Sequence, residues 1–315
     1  MQTVFIDRKE TDLSISNNQL RVKGTESEQT LPIMHIHSIV ICCDCRLSSG
    51  FLRNIAKHDI ALVCLNQRNI NATFYSVPSG NGNIHRRLAQ YEMSCEPQHK
   101  LRLARVIVAV KARSQRKALQ SLAIARPELR TIAHREIKTI TTNLVSLQSA
   151  TDRAQLMGYE GVIAKSYFSA YTKQFAPSLA FVKRSKRPAT DPVNATLSLS
   201  YTIAYYESIR ACHAVGLDPL LGILHEPAYS RSSLACDLTE LQRVAINAWV
   251  QALFAQQTLR AEHFSPVDER GCMMTKAGRS IYYPLLMEHM IPLRAKIRRH
   301  ALWLAKYLDQ VNKPS

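Results

Sequence analysis

No apolar run in the 315 residues is long enough to span a bilayer. The opening "MQTVFIDRKE" lacks the basic start, apolar centre and small-residue cleavage site of a secretory leader, so the cytoplasm is the expected location. There is no GxxxxGK[ST] loop to hold a triphosphate and no GxSxG turn to present a nucleophilic serine, which leaves nucleotide hydrolysis and serine esterase chemistry without support. The eight cysteines (Cys42, Cys43, Cys45, Cys64, Cys95, Cys212, Cys236 and Cys272) are scattered through apolar segments, a distribution that fits reduced, mostly buried thiols rather than a disulfide framework. Internal repeats and low-complexity tails are also missing. Acidic residues are the scarce charge: 24 Asp and Glu face 41 Lys and Arg, for a formal net charge of +17. Such a surplus attracts polyanions, and nucleic acid is the leading partner class. The basic residues are spread over many segments rather than gathered in one amphipathic cluster, which disfavours a membrane surface.

The pattern that is present changes once along the chain. Residues 1–76 alternate over short stretches ("TVFID", "LSIS", "LRVKG", "TLPIMHI", "SIVICC", "IALVCL", "NATFYS"), with a turn at Asn17-Asn18 and one helix in "LSSGFLRNIAKH". Pro, Ser, Gly and Asn then cluster in "VPSGNGN", and residues 77–84 are expected to be a linker. From residue 85 to 315 apolar residues recur at helical spacing. The expected fold is α+β: a small N-terminal β-sheet domain and a larger all-α C-terminal domain. One helix start is well marked, with Asp191 as cap and Pro192 at the first position, and Gly216 supplies its stop.

Certain charges conflict with this helical pattern. In "LHEPAYSRSSLACDLTE" (224–240) and the residues after it, Leu234, Leu238, Leu241, Ala245 and Trp249 share one helical arc that Val244 extends. Asp237 falls inside that arc and Glu240 at its edge. Glu160 sits likewise beside the apolar face of Leu156, Ile163, Ala164, Tyr167 and Phe168. Gly158 and Gly161 flank it and are expected to let another backbone come close. A carboxylate on an apolar contact needs a cation, a hydrogen-bond network or a shifted pKa. Together with His225 these groups form a mixed oxygen and nitrogen set that suits magnesium or manganese, the imidazole favouring manganese. Helix capping, ion pairs with Lys or Arg and an ordinary core histidine are the alternatives that spacing alone leaves open. A second set, His35, His37, Cys42 and Cys45 in "HIHSIVICCDC", superficially offers zinc ligands, but it lies on an apolar strand with short spacings, and buried strand thiols are the expectation there.

"GYEGVIAKSYF" (158–168), "KRPATDPVNATLSLSY" (186–201), "GLDPLLGILHEPAYSRSSLACDLTELQR" (216–243) and "MTKAGRSIYYPLLME" (274–288) resemble, in order, the signature blocks of the CRISPR adaptation integrase family. Four ordered blocks are more specific than any one motif. The resemblance implies a metal-dependent DNA endonuclease and integrase that joins the 3' hydroxyl ends of foreign DNA fragments to a CRISPR repeat by transesterification, with Mg2+ or Mn2+ as cofactor. By the same resemblance Glu160, His225 and Glu240 are the metal ligands, and Asp237 is a near neighbour or additional ligand. It also implies a homodimer joined through the sheet domain, double-stranded and branched DNA as substrate, and a small second adaptation protein bridging two dimers. Arg231, Lys186, Arg187, Lys183 and Arg184 are expected phosphate contacts. Arg243 is expected either to join them or to pair with a site carboxylate. Tyr167 is expected in the core, and Tyr229 is left open between core and base stacking. Val162, Ser230, Ser232, Asn69 and Asn71 depart from the family pattern, which puts local loops in doubt. A homologous integrase or branched-DNA nuclease outside CRISPR, and a non-catalytic basic DNA-binding scaffold, remain as alternatives.

Overall fold

The structure is a computed structural model that describes residues 2–25, 27–66, 72–78, 83–185, 188–229, 231–269 and 271–311. Asn69, Asn71, Lys186, Arg187, Ser230 and residues 79–82 of the expected linker lie outside the described residues.

The N-terminal region is strand-rich: β1 (Gln2–Ile6), β2 (Thr11–Ser16), β3 (Gln19–Lys23), β4 (Glu28–Pro32), β5 (Ile36–Ile41), β6 (Cys45–Leu47), α1 (Ser49–Lys57), β7 (Ala61–Cys64) and β8 (Phe74–Ser76). Asn17 and Asn18 turn β2 into β3 at φ of 50° and 57°, the left-handed geometry that asparagine tolerates in tight hairpins. The strands form two sheets rather than one, in the orders β1-β5-β7-β8 and β4-β3-β2-β6. A core of Leu13, Leu20, Ile39, Ile41, Leu62 and Phe51 lies between them.

Ile39 to Ile41 of β5 and Ala61 to Val63 of β7 are apolar without alternation because the two are parallel central strands covered on both faces. Ile39 and Leu62 point into the inter-sheet core, whereas Val40 and Val63 point the other way and join the helical core. Phe5 stacks on Tyr283 at 4.3 Å between ring centroids, and Arg279 pairs with Asp7 at 2.8 Å. Buried Glu207 accepts from Arg294 Nε at 3.0 Å and is bonded to His37 Nε2 at 3.0 Å.

That last contact bears on the zinc expectation. His37 is engaged with Glu207, Cys42 receives the Tyr283 hydroxyl at 3.3 Å, and Cys45 lies in the other sheet. Burial pushes the Cys42 thiol up to about 12 and the Cys45 thiol up to about 11, which keeps both protonated.

The C-terminal region is helical: α2 (Ile84–Cys95), α3 (Pro97–Ala125), α4 (Arg130–Ser146), α5 (Arg153–Tyr171), α6 (Pro192–Ala214), α7 (Ser233–Glu240), α8 (Arg243–Ala255) and α9 (Lys276–Val311). Pro97 lacks an N–H and starts a new helix, so the continuous periodicity after residue 84 is broken into α2 and α3. α6 begins as expected: the Asp191 side chain accepts from Asn194 N at 2.8 Å, and beyond its end Gly216 takes φ of 74°. The single helix expected after residue 233 is two, separated at Leu241 and Gln242.

Candidate active site

α3, α5, α7, α8 and the loop after α6 surround a cavity of about 430 Å3 lined by Lys111, Gln115, Glu160, His225, Glu240 and Arg243, among others. The fold therefore brings together the three residues that the family resemblance implied as ligands, Glu160 from α5, His225 from the loop and Glu240 from the last turn of α7.

The His225 loop is fixed by close contact. A Cβ on Gly222 would sit 2.3 Å from the His225 carbonyl oxygen and 2.7 Å from Ser233 Cβ, so only glycine fits. Arg153 Nε donates to the Leu224 carbonyl at 2.9 Å, and Lys100 pairs with Glu226 at 2.9 Å.

Asp237 is 1% exposed, and its carboxylate gathers the loop. Oδ2 accepts from the backbone N–H of Ile223 at 2.6 Å and of Leu224 at 3.0 Å. Oδ1 accepts from His225 N at 3.1 Å and lies 2.6 Å from His225 Nδ1. With two partners on each oxygen the carboxylate is fully used inside the protein. Asp237 thus fixes the imidazole and does not face the cavity as Glu160 and Glu240 do.

The charge conflict on Glu160 and Glu240 is resolved by a residue that was not anticipated. Lys111 Nζ donates to Glu160 Oε1 at 2.5 Å and to Glu240 Oε2 at 2.6 Å, and Arg243 pairs with the other oxygen of Glu240 at 2.7 Å. Burial would by itself raise the Glu240 carboxyl, but Arg243 and Lys111 outweigh it and hold the group at about 2. Burial likewise works against the Lys111 ammonium, and the charges of Glu240 and Glu160 reverse it, leaving the group raised. Among the described residues no three His, Cys, Asp or Glu side chains stand close enough together, as placed, to hold a metal ion. The cation between the two glutamates is Lys111. On α3 the stripe Leu101, Ala104, Val108, Lys111, Gln115, Leu119 and Leu122 is buried throughout, so Lys111 and Gln115 break an apolar pattern just as Asp237 does on α7.

A second cleft of about 580 Å3 adjoins the first through Arg184 and Arg243 and is lined by Tyr201, Tyr205, Tyr229 and Arg231. Arg243 lies over the Tyr201 ring at 4.8 Å, so its guanidinium is committed to Glu240 and to a ring face. Arg184 is bonded to Asn194 Oδ1 at 2.7 Å and Ser198 Oγ at 2.9 Å. Arg231 donates to the Glu226 carbonyl and Ser233 Oγ. Tyr167 is core, whereas Tyr229 is 100% exposed and available for stacking. Gly158 and Gly161 do not serve close packing: a Cβ at either would meet nothing within 4 Å.

The succession of a strand-rich N-terminal region and a helical C-terminal region is a class of fold also seen in solved structures. A casposase bound to integration product superposes with a TM-score of 0.81 at 20% identity over 98% of this chain and 91% of that one. A CAS1 protein from Thermotoga maritima gives 0.81 at 20% identity, over 98% of this chain and 97% of that one. The chain belongs to the family described as CRISPR associated protein Cas1, which matches residues 4–288. It is similar to a CRISPR-associated endonuclease Cas1 of Thermodesulfovibrio yellowstonii, with 34% identity over 90% of each chain. Another CRISPR-associated endonuclease Cas1, from Thermus thermophilus, is 30% identical over 83% of this chain and 76% of its own length. No helix among the described residues is long and apolar enough to cross a membrane.

Proposed function

We propose that this member of the Cas1 family is a divalent-metal-dependent DNA endonuclease and integrase, which joins 3' hydroxyl ends of DNA fragments to a CRISPR repeat by transesterification. The observation that carries this reading is the meeting of Glu160, Glu240 and His225 at one cavity. Two carboxylates that reach the same Lys111 nitrogen are placed to share one cation. His225 bonds Asp237 through Nδ1, which leaves Nε2 as the nitrogen for a metal, with a carboxylate behind the imidazole. Oxygen donors plus one imidazole fit Mg2+ or Mn2+. A metal held there would stabilise charge on the reacting phosphate and on the attacking or leaving oxygen.

The remaining work falls to the chain. Asp237 sets the orientation and tautomer of His225, and Arg231, which lines the neighbouring cleft, meets phosphates bound there. Tyr229 offers a ring face to an unpaired base. One phosphodiester replaces another, so no nucleotide hydrolysis need drive the reaction, in keeping with the missing triphosphate loop. The surplus of basic residues supports nucleic acid as partner, and the family resemblance implies double-stranded and branched DNA as the substrate.

In a solved Cas6-RT-Cas1–Cas2 complex, 35% of one chain superposes on 98% of this one with a TM-score of 0.83 at 19% identity. That pairing supports a small second adaptation protein as partner; that it bridges two homodimers joined through the sheet region is what the family resemblance implies.

The test is a strand-transfer assay with a short duplex carrying free 3' hydroxyls, a supercoiled repeat-bearing plasmid, the second adaptation protein and Mn2+ or Mg2+. Joined product is expected from wild type and lost in Glu160→Ala and His225→Ala. No product from wild type, or full product from both variants, ends this reading.

A further inference from the structure

Two side chains of α3 enter the cavity and have no part in the chemistry above. Lys111 is 6% exposed and Gln115 is 3% exposed. The lysine spends its ammonium on Glu160 and Glu240. Four residues on, along the same helix face, Gln115 lines the same cavity, and its buried Oε1 has no hydrogen-bond partner. Buried carbonyl oxygens are nearly always satisfied, so an acceptor left open beside a cluster of charges calls for an explanation.

We propose that Lys111 is the resident cation of the metal-free site, and that metal entry moves its ammonium from Glu160 and Glu240 onto Gln115. A divalent ion seated between the facing oxygens of the two glutamates takes the place where Nζ stands at 2.5 and 2.6 Å, and the other Glu240 oxygen is already paired with Arg243, so the ammonium must leave. The displaced group has three N–H donors and no acceptor, so it must find oxygen elsewhere. Residues four apart on a helix are neighbours, and a change of side-chain torsions brings Nζ to Gln115 Oε1 without moving the backbone. Before the metal arrives, the lysine keeps the carboxylates together and prevents their mutual repulsion. Once it has arrived, the glutamine keeps the ammonium from repelling it. The device lowers metal affinity by the cost of the exchange, and it leaves a cation beside the site where a phosphate must come.

The inference rests on the metal-dependent reading, and Mn2+ binding tests the two separately. The full-length protein is titrated with Mn2+, following free aqueous Mn2+ by electron paramagnetic resonance, for wild type, Lys111→Met, Gln115→Leu and the double variant. Lys111→Met should bind Mn2+ more tightly, by about 5–150-fold, the size usual for a coupling free energy between two binding events. Gln115→Leu should bind it several-fold more weakly, and should have no effect in the Lys111→Met background. Urea melts without metal should find Lys111→Met less stable and Gln115→Leu as stable as wild type. If Lys111→Met binds Mn2+ no more tightly than wild type, the exchange does not occur. Equal weakening by Gln115→Leu in both backgrounds would make the glutamine a direct ligand and also overturns it. Wild-type binding that Glu160→Gln abolishes, with the Lys111 and Gln115 variants unchanged, sinks this inference alone. No Mn2+ binding by any of the proteins sinks the metal reading with it.

Discussion

Replacing Asp237 by asparagine keeps the shape of the side chain and changes what it offers. One oxygen still accepts from Ile223 and Leu224. The other becomes an NH2 group facing the His225 amide at 3.1 Å and His225 Nδ1 at 2.6 Å. The backbone donor cannot adapt. The imidazole can, by turning Nδ1 into an acceptor, but its proton then sits on Nε2, the nitrogen assigned to the metal. Hydrogen bonds to a charged group contribute about 1.5–3 kcal/mol each, and with the His225 backbone bond lost and the other three no longer made to a charge the variant should be destabilised by about 3 kcal/mol. For a chain of this size that lowers Tm by about 4–5 °C, measurable by differential scanning calorimetry in metal-free buffer. Mn2+ affinity should fall by about 10–100-fold, as it does when an imidazole ligand loses the carboxylate behind it. A Tm within about 2 °C of wild type together with unchanged Mn2+ affinity would refute the account of Asp237 as the anchor of His225.

Gly222→Ala should disrupt the same loop by steric force, since its Cβ would lie 2.3 Å from a backbone oxygen; a loss of about 2 kcal/mol or more in urea melts is expected, and wild-type stability would mean the loop yields easily. Glu207 links sheet and helices: burial alone would raise its carboxyl, but the bond to His37 and the charge of Arg294 hold it below its ordinary 4.5. Because the folded value is the lower one, its contribution is present above about pH 4.5 and is lost as pH falls through the folded value, so Glu207→Gln should flatten the acid limb of the stability profile. An unchanged acid limb would place the sensitivity elsewhere. Arg231→Ala should weaken DNA binding about equally across sequences and reduce the slope of log affinity against log salt by about 1, read by fluorescence anisotropy; an unaltered slope would remove it from the phosphate path.

The architecture was largely legible because its signals are local: alternation in β2, two asparagines at a hairpin, a proline after a capping aspartate. What is set by distant contacts was not. Nothing in the residues around Leu241 and Gln242 marks a helix break, since neither Gly nor Pro is present, and Gln242 is buried with Nε2 3.0 Å from His300 Nδ1. That β6 joins the sheet of β2, β3 and β4 depends on three residues paired in parallel with the distant β2. At the site, carboxylates on apolar stripes were conspicuous, since a short charged group has no way to reach water from there. Lys111 breaks an equally clear stripe, but a lysine can bury its stem and surface its charge, so its position alone does not reveal a buried ion pair. Gln115 carries no charge and gives a weaker signal still.

Val40 and Val63 stand on strands of the N-terminal sheet but belong to the helical core. Removing residues 1–76 would therefore not trim an appendage; it would strip apolar side chains from the interior that supports α3, α6 and α9. The two regions should melt in one cooperative transition, and neither can be exchanged as a module without redesign of the other. A heavy load on the sheet face would be felt at the helices that carry the acidic cavity, because the same two strands serve as wall to both interiors.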